Sequence, residues 1–115
     1  MGSSLMPAPT KDRLHGTLDA LVLKTLSWGP RHGYAITRRI KESSSGLLQV
    51  EEGSLYPALS RLLVKGWIKG EWGLSETNRT AKFYTLTKAG RKQLEQESTD
   101  FRAVVGAIEM VLQKA

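Results

Sequence analysis

The sequence of 115 residues contains no cysteine and no apolar run near 18 residues. The first absence excludes disulfide bonds and thiolate metal sites, and it fits a reducing cytoplasm. The second argues against a membrane-spanning helix. The first ten residues also lack the apolar core of a secretory signal. We therefore expect a cytoplasmic protein that has no membrane partner.

The sequence also lacks the residue patterns of an enzyme or a metal site. Its only histidines are His15 and His32, and no close carboxylate cluster accompanies them. No Ser-His-Asp arrangement, paired-carboxylate motif or glycine-rich phosphate loop is present. We expect no catalytic residue, metal or cofactor, and we interpret His32 as a helix cap or an interhelical hydrogen-bond partner.

Positive charge is in excess, with 17 Lys and Arg against 11 Asp and Glu, a net charge of +6. Twelve of the basic residues and seven of the acidic ones lie before Thr87, so the surplus is concentrated there. Such a surplus favours a polyanionic partner. The hydrophobic content of 40% is that of an ordinary globular domain.

Apolar residues at helical spacing predict three helices in the first part of the chain. The first runs from about Leu14 to Ser27 and ends at Gly29 and Pro30, and the second runs from about Gly33 to Ser43. The third extends from Ser54, its predicted N-cap, to about Lys65.

The third predicted helix has two different faces. One is an apolar stripe of Leu55, Leu59, Leu62 and Leu63, and the predicted start places Pro57 in the first turn, where it is tolerated. Away from that stripe point Pro57, Ser60, Arg61 and Val64, with Ser54 and Lys65 on the flank. Such a helix suits a DNA major groove.

A hairpin and a long helix follow. Residues 67–73 alternate in polarity, residues 82–86 favour a strand, and the polar residues 75–80 lie between them, which predicts a two-stranded hairpin with a basic tip. The predicted fold is α+β, mainly α: a winged helix-turn-helix domain over residues 14–86, preceded by a flexible segment 1–13. Trp28, Trp67 and Trp72 are expected in core or hairpin packing, with a cavity at a dimer interface as the alternative.

Residues 87–115 are predicted to form a helix capped by Thr87 and running from Lys88 to about Lys114. Such a helix protrudes beyond a small domain, and its apolar stripe needs a cover, the simplest being a second copy of the chain. The predicted interface of this homodimer comprises Leu94, Phe101, Val104, Val105, Ile108, Val111 and Leu112.

Three motifs resemble those of the PadR-like family of bacterial transcriptional regulators. They are His32-Gly33-Tyr34, the segment Gly-Ser-Leu-Tyr-Pro-Ala-Leu at residues 53–59, and Tyr84-Thr85-Leu86-Thr87. Their order and spacing match from about Leu14 to Leu94. The resemblance implies a homodimeric repressor that binds an inverted-repeat operator in double-stranded DNA. It also implies that the third helix enters the major groove and the last helix forms the dimer.

The resemblance assigns DNA contacts to two groups of residues: Ser54, Tyr56, Pro57, Ser60 and Arg61 on the third helix, and Asn78, Arg79 and Lys82 in the wing. We add Lys65 at the end of the third helix and, near the DNA backbone, Arg38 and Arg39 of the second helix. Some drug-sensing members carry a Trp on the last helix, where this chain has none and has Phe101 in roughly that region.

Several alternatives stay open. Arg61 either donates two hydrogen bonds to guanine or contacts phosphate. Ser54 is a DNA contact or only a cap, and Tyr56 is a phosphate donor or a packing residue. A small-molecule effector would fit between the last helix and the winged domain, against Phe101, Val104, Val105 and the tryptophans. The rival function is a winged-helix protein-interaction module whose positive charge is incidental.

Overall fold

The computed structural model describes the backbone of residues 10–114 and the side chains of residues 17–114. Its elements are α1 (Thr10–Ser27), β1 (Arg31–His32), α2 (Gly33–Ser43), α3 (Glu52–Val64), β2 (Ile68–Leu74), β3 (Thr80–Leu86) and α4 (Lys88–Leu112). Within this described part, no helix has the length and apolarity needed to cross a membrane.

The predicted N-terminal segment is revised by the start of α1. Residues 10–13, which the prediction counted as flexible, form the beginning of that helix. Residues 1–9 and the side chain of His15 lie outside what the structure describes, so the predictions for them are not addressed.

The predicted two-stranded wing is confirmed as β2 and β3, and a third strand that was not predicted extends the antiparallel sheet to the order β1-β3-β2. Strand β2 pairs with β3 from Ile68↔Leu86 to Leu74↔Thr80. On the other edge of β3, Arg31 pairs with Tyr84 and His32 with Phe83. Strand β1 has only two residues. Such a segment is too short to show the alternation that marks a strand in sequence.

The core lies where α1, α2 and α3 meet the sheet. The leucine stripe of α3 is its centre, since Leu55, Leu59 and Leu62 are each at most 1% exposed. The rest of the buried cluster is apolar and comprises Val22, Leu23, Leu26, Ile36, Ile40, Ile68, Tyr84 and Leu86. Burial of one face of α3 leaves the opposite face in solvent.

The N-cap of α3 lies three residues earlier than predicted. It is Glu51, whose side chain makes no capping bond. The Glu51 carbonyl instead accepts hydrogen bonds from the backbone N–H groups of Ser54 and Leu55, at 3.0 and 2.9 Å. Ser54 is therefore inside the helix and is not its cap. Pro57 consequently lies beyond the first turn, where its missing N–H leaves the carbonyl of the exposed Gly53 to water.

Three other predicted helix ends are confirmed. His32 is the N-cap of α2, and its Nδ1 accepts a hydrogen bond from the Ala35 N–H at 3.3 Å. Thr87 caps α4 by accepting from the Gly90 N–H at 3.0 Å. Gly29 follows the end of α1 with a φ of +135°, a conformation that glycine adopts without strain.

A tight junction fixes where α4 starts. The Thr87 hydroxyl donates to the Gly66 carbonyl at 2.7 Å, and the Thr87 N–H donates to the Trp67 carbonyl at 3.0 Å. Gly90 is buried against the same Trp67 carbonyl, and a Cβ at that position would collide with it. The long helix is therefore held directly against the turn between α3 and β2.

The tryptophans differ from their predicted packing. Trp67 is half-buried against the core, as expected. Trp28 and Trp72 are 45% and 72% exposed, so the prediction of core packing is wrong for these two. The pleat places Trp72 on the same side of β2 as the buried Ile68, but nearer the tip of the wing, where the core no longer covers that side.

An ion pair joins α1 to α3. The Arg61 Nη2 donates to Asp19 Oδ1 at 2.9 Å, and the side chains of these residues are 49% and 12% exposed. Because Asp19 is largely shielded from water, its carboxylate depends on this partner. This contact uses one side of a half-exposed guanidinium, and the contact of Arg61 with guanine or phosphate stays a prediction.

We expect Arg61→Ala to lower the free energy of unfolding by about 1–2 kcal/mol, between the values for exposed and buried pairs. Arg91→Ala is the matched control, because it removes the same charge from an exposed position of α4. The control should change stability by less than about 0.5 kcal/mol. Urea unfolding of both variants measures the difference. Equal losses of stability in the two variants would contradict a stabilising role for the Asp19 pair.

Candidate nucleic-acid interface

The solvent side of α3 has little charge. Gly53, Pro57, Ser60 and Val64 follow one another along it, and all four are exposed. We call these four residues the neutral face of α3. Ser54 and Tyr56 flank it and are also exposed. Arg61, the next cation along the helix, is held by Asp19.

Four of the cations predicted at DNA lie over aromatic rings. Exposed contacts of this kind are worth about 0.5–1 kcal/mol each and limit the positions of long side chains. The distances from the cationic group to the ring centroid are 5.7 Å for Arg38 over Tyr34, 4.6 Å for Arg39 over Trp28, 4.7 Å for Lys65 over Trp67, and 5.9 Å for Lys82 over Tyr84.

Trp28, in the turn after α1, contacts two cations, which the sequence did not predict. Its ring centroid is 4.6 Å from Arg39 and 5.5 Å from Lys24 of α1. A pattern of aromatic and basic residues was present in the sequence. Which ring meets which cation depends on the tertiary fold.

Tyr56 packs against a neighbouring helix while it stays half exposed, and its role as a phosphate donor stays a prediction. It is 47% exposed, and its phenol lies against Gly33, where a Cβ would come within 2.8 Å of its hydroxyl oxygen. Glycine in the His32-Gly33-Tyr34 motif therefore makes room for Tyr56. Burial raises the pKa of the neighbouring Tyr84 above its ordinary value of 10.0, and Tyr56 adds to the rise. Tyr84 consequently stays uncharged at neutral pH.

The wing and α2 together line a groove of about 420 Å³ that brings Arg38 and Arg79 to one surface. Arg79 lies just after Asn78, whose φ of +64° forms the turn at the tip. Asn78 therefore has a structural role in the turn of the wing, in addition to its predicted DNA contact. Lys82 lies across Gly70 of the neighbouring strand, where a side chain would displace it.

The residues predicted at a dimer interface have different environments along α4. Leu94 is partly buried against the core of its own domain, and its place in a dimer interface stays a prediction. Val104 and Val105 are half-buried. Exposure then rises towards the end of the helix, with values of 44% for Phe101, 47% for Ile108, 64% for Met110, 70% for Val111 and 77% for Leu112. Met110 lies on the opposite side of α4, about 200° around the helix from Ile108.

A cavity of about 570 Å³ lies between α1 and α4. Its lining is Thr17, Ala20, Leu21, Lys24, Leu94, Glu95, Ser98, Thr99, Phe101 and Arg102. Phe101 was predicted there, whereas Val104, Val105 and the tryptophans are not part of the lining. The Thr17 hydroxyl is buried and has no hydrogen-bond partner among the residues that the structure describes.

No group of histidine and acidic side chains in the described part of the chain could hold a metal ion. The described surface instead has the neutral face of α3 and several cations that lie over aromatic rings. That arrangement fits a polyanion whose interior presents uncharged groups.

Comparison with known proteins gives a family match over residues 22–96, to the model described as "Transcriptional regulator PadR-like family". A solved transcriptional regulator from Clostridium thermocellum is 29% identical with a TM-score of 0.76, over 86% of this chain and 96% of that one.

Two findings concern Bacillus subtilis PadR. The protein described as "Negative transcriptional regulator PadR" is 32% identical over 73 residues, which are 64% of this chain and 40% of that protein. The crystal structure of B. subtilis PadR in complex with operator DNA is 30% identical with a TM-score of 0.62. That match covers 70% of this chain and 45% of the other, so less than half of the longer regulator is represented here.

Proposed function

The chain belongs to the PadR-like family of transcriptional regulators, and from that premise we propose that it is a cytoplasmic homodimeric repressor of an inverted-repeat operator. Members of this family are transcription factors and not enzymes. The negative regulator from B. subtilis supports the direction of control, and its complex with operator DNA supports the ligand.

The observation that carries the proposal is the surface around α3. A helix whose apolar side is largely buried exposes a neutral face, and α2 and the wing bring Arg38 and Arg79 to one groove. Phosphate contacts from such cations supply affinity and register, whereas the helix in the groove supplies sequence preference. Arg38, Arg39, Arg79 and Lys82 are the proposed phosphate contacts, with Ser54, Tyr56 and Lys65 at the edges of the helix.

The homodimer is supported by the end of α4. Ile108, Val111 and Leu112 are 47–77% exposed in the single chain, although they lie on the apolar stripe of the helix. Contiguous exposed apolar surface of this kind commonly marks an interface. Two copies related by a two-fold axis would place two α3 helices in major grooves about one helical turn, or roughly 34 Å, apart.

An effector site is supported by the cavity between α1 and α4. Its apolar walls, with the cations of Lys24 and Arg102 at the rim, suit a small amphipathic molecule, and Thr17 supplies an unsatisfied hydroxyl. A ligand there would alter the contact of α4 with the winged domain. It would thereby change the separation of the two α3 helices and shift the population that binds DNA.

We expect Arg79→Ala to weaken binding to all duplexes alike and to reduce the salt dependence of affinity by about 0.9 log unit for each phosphate that is no longer neutralised. Arg102→Ala, which removes the same charge from α4, is the control and should leave both quantities unchanged. Fluorescence anisotropy at several salt concentrations measures them. Salt-insensitive binding would instead favour the protein-interaction module.

We expect Ile108→Asp to prevent dimerisation, because each copy would bring an unpaired carboxylate into an apolar contact. The folded monomer should survive, since Ile108 is already 47% exposed in the single chain. Sedimentation at micromolar concentration tests this, with Gln113→Asp as a control that keeps the dimer. A monomeric unsubstituted protein would contradict the proposed assembly.

We expect a compound that binds in the α1–α4 cavity to lower DNA affinity, and we expect Ala20→Phe, which fills the cavity, to abolish its binding. Calorimetric titration of a panel of small amphipathic compounds tests this. Neither heat nor a change in DNA affinity across the panel would argue against the effector site.

A further inference from the structure

The neutral face of α3 contains one large apolar side chain with no packing role. Val64 is 87% exposed, although it is the last residue of a helix whose other side is the centre of the core. Pro57 precedes it by seven residues, which places the two on the same side of the helix at 100° per residue. Their separation along the helix axis is about 10 Å.

Hydrogen-bonding side chains that commonly read purines are missing from this face. Reading guanine usually takes Arg or Lys, and reading adenine usually takes Asn or Gln. Of its four residues only Ser60 has a hydrogen-bonding side chain, whereas the neighbouring Arg61 is paired with Asp19 and Lys65 lies over the Trp67 ring. What these four residues offer a base edge is therefore mostly apolar surface.

The major groove contains one apolar group, the 5-methyl of thymine. Because a helix in the major groove is inclined to the DNA axis, an axial separation of about 10 Å corresponds to at most about three base-pair steps at 3.4 Å each. Accordingly, we propose that Val64 and Pro57 recognise thymine methyl groups within about three base pairs of each other in each half-site. This inference rests on the proposed DNA binding and names the groups that determine its sequence preference.

The first step of the test is to select duplexes from a random pool with the full chain. In an enriched duplex, each thymine is then replaced singly by deoxyuridine, which lacks only the methyl group. We expect about a fourfold loss of affinity at a position read by Val64, the size that one buried methyl accounts for. The high exposure of this side chain also predicts that Val64→Ala folds normally.

A comparison of protein and DNA substitutions assigns the contact. With Val64→Ala, the same deoxyuridine replacement should cost less than about 1.5-fold, because the methyl no longer has its partner. Leu47→Ala is the control, since Leu47 is equally exposed, at 85%, but lies in the loop before α3. That variant should keep the fourfold loss. Val64→Thr keeps one methyl group and nearly the same shape. In this variant the deoxyuridine replacement should cause a loss of affinity between those of the unsubstituted protein and Val64→Ala.

Three outcomes overturn the inference in distinguishable ways. If no duplex is enriched, the proposed DNA binding fails and the inference falls with it. If a duplex is enriched but tolerates deoxyuridine at every position, DNA binding stands and methyl reading is wrong. If the loss persists unchanged in Val64→Ala, a methyl is read by another residue and the assignment to Val64 is wrong.

Discussion

The burial of one side of α3 is the constraint on which the functional surface depends. Leu55, Leu59 and Leu62 pack into the centre of the core, and this packing determines which residues face outwards. A rotation of the helix by a single position would expose leucine and bury the neutral face. The core therefore specifies the recognition surface as firmly as it specifies the fold.

The cations predicted at DNA lie outside the neutral face of α3. The cations of α2 and the wing lie over aromatic rings, and Arg61 is turned towards Asp19 of α1. The proposed function assigns affinity and sequence preference to different side chains, with phosphate contacts from the cations and uncharged contacts in the groove. The junction at Thr87 and Gly90 then fixes α4 relative to this surface. A dimer through α4 would thus set the distance between two copies of it.

Local signals in the sequence predicted most of the fold. Periodicity identified the helices, and the caps at His32 and Thr87 followed from their positions before helical segments. The start of α3 was missed because the Glu51 backbone, without its side chain, provides the first bonds. The ion pair of Arg61 with Asp19 joins residues 42 apart in sequence. No local pattern contains such information, so this contact is visible only in the tertiary structure.

Repression by this protein would require two α3 helices to occupy one face of a DNA duplex at the same time. Hydroxyl-radical footprinting of the intact protein on a selected duplex detects this arrangement. We expect two protected segments on each strand, centred about one helical turn apart and related by a two-fold axis. A single protected segment, or protection spread evenly along the duplex, would contradict the paired docking of α3.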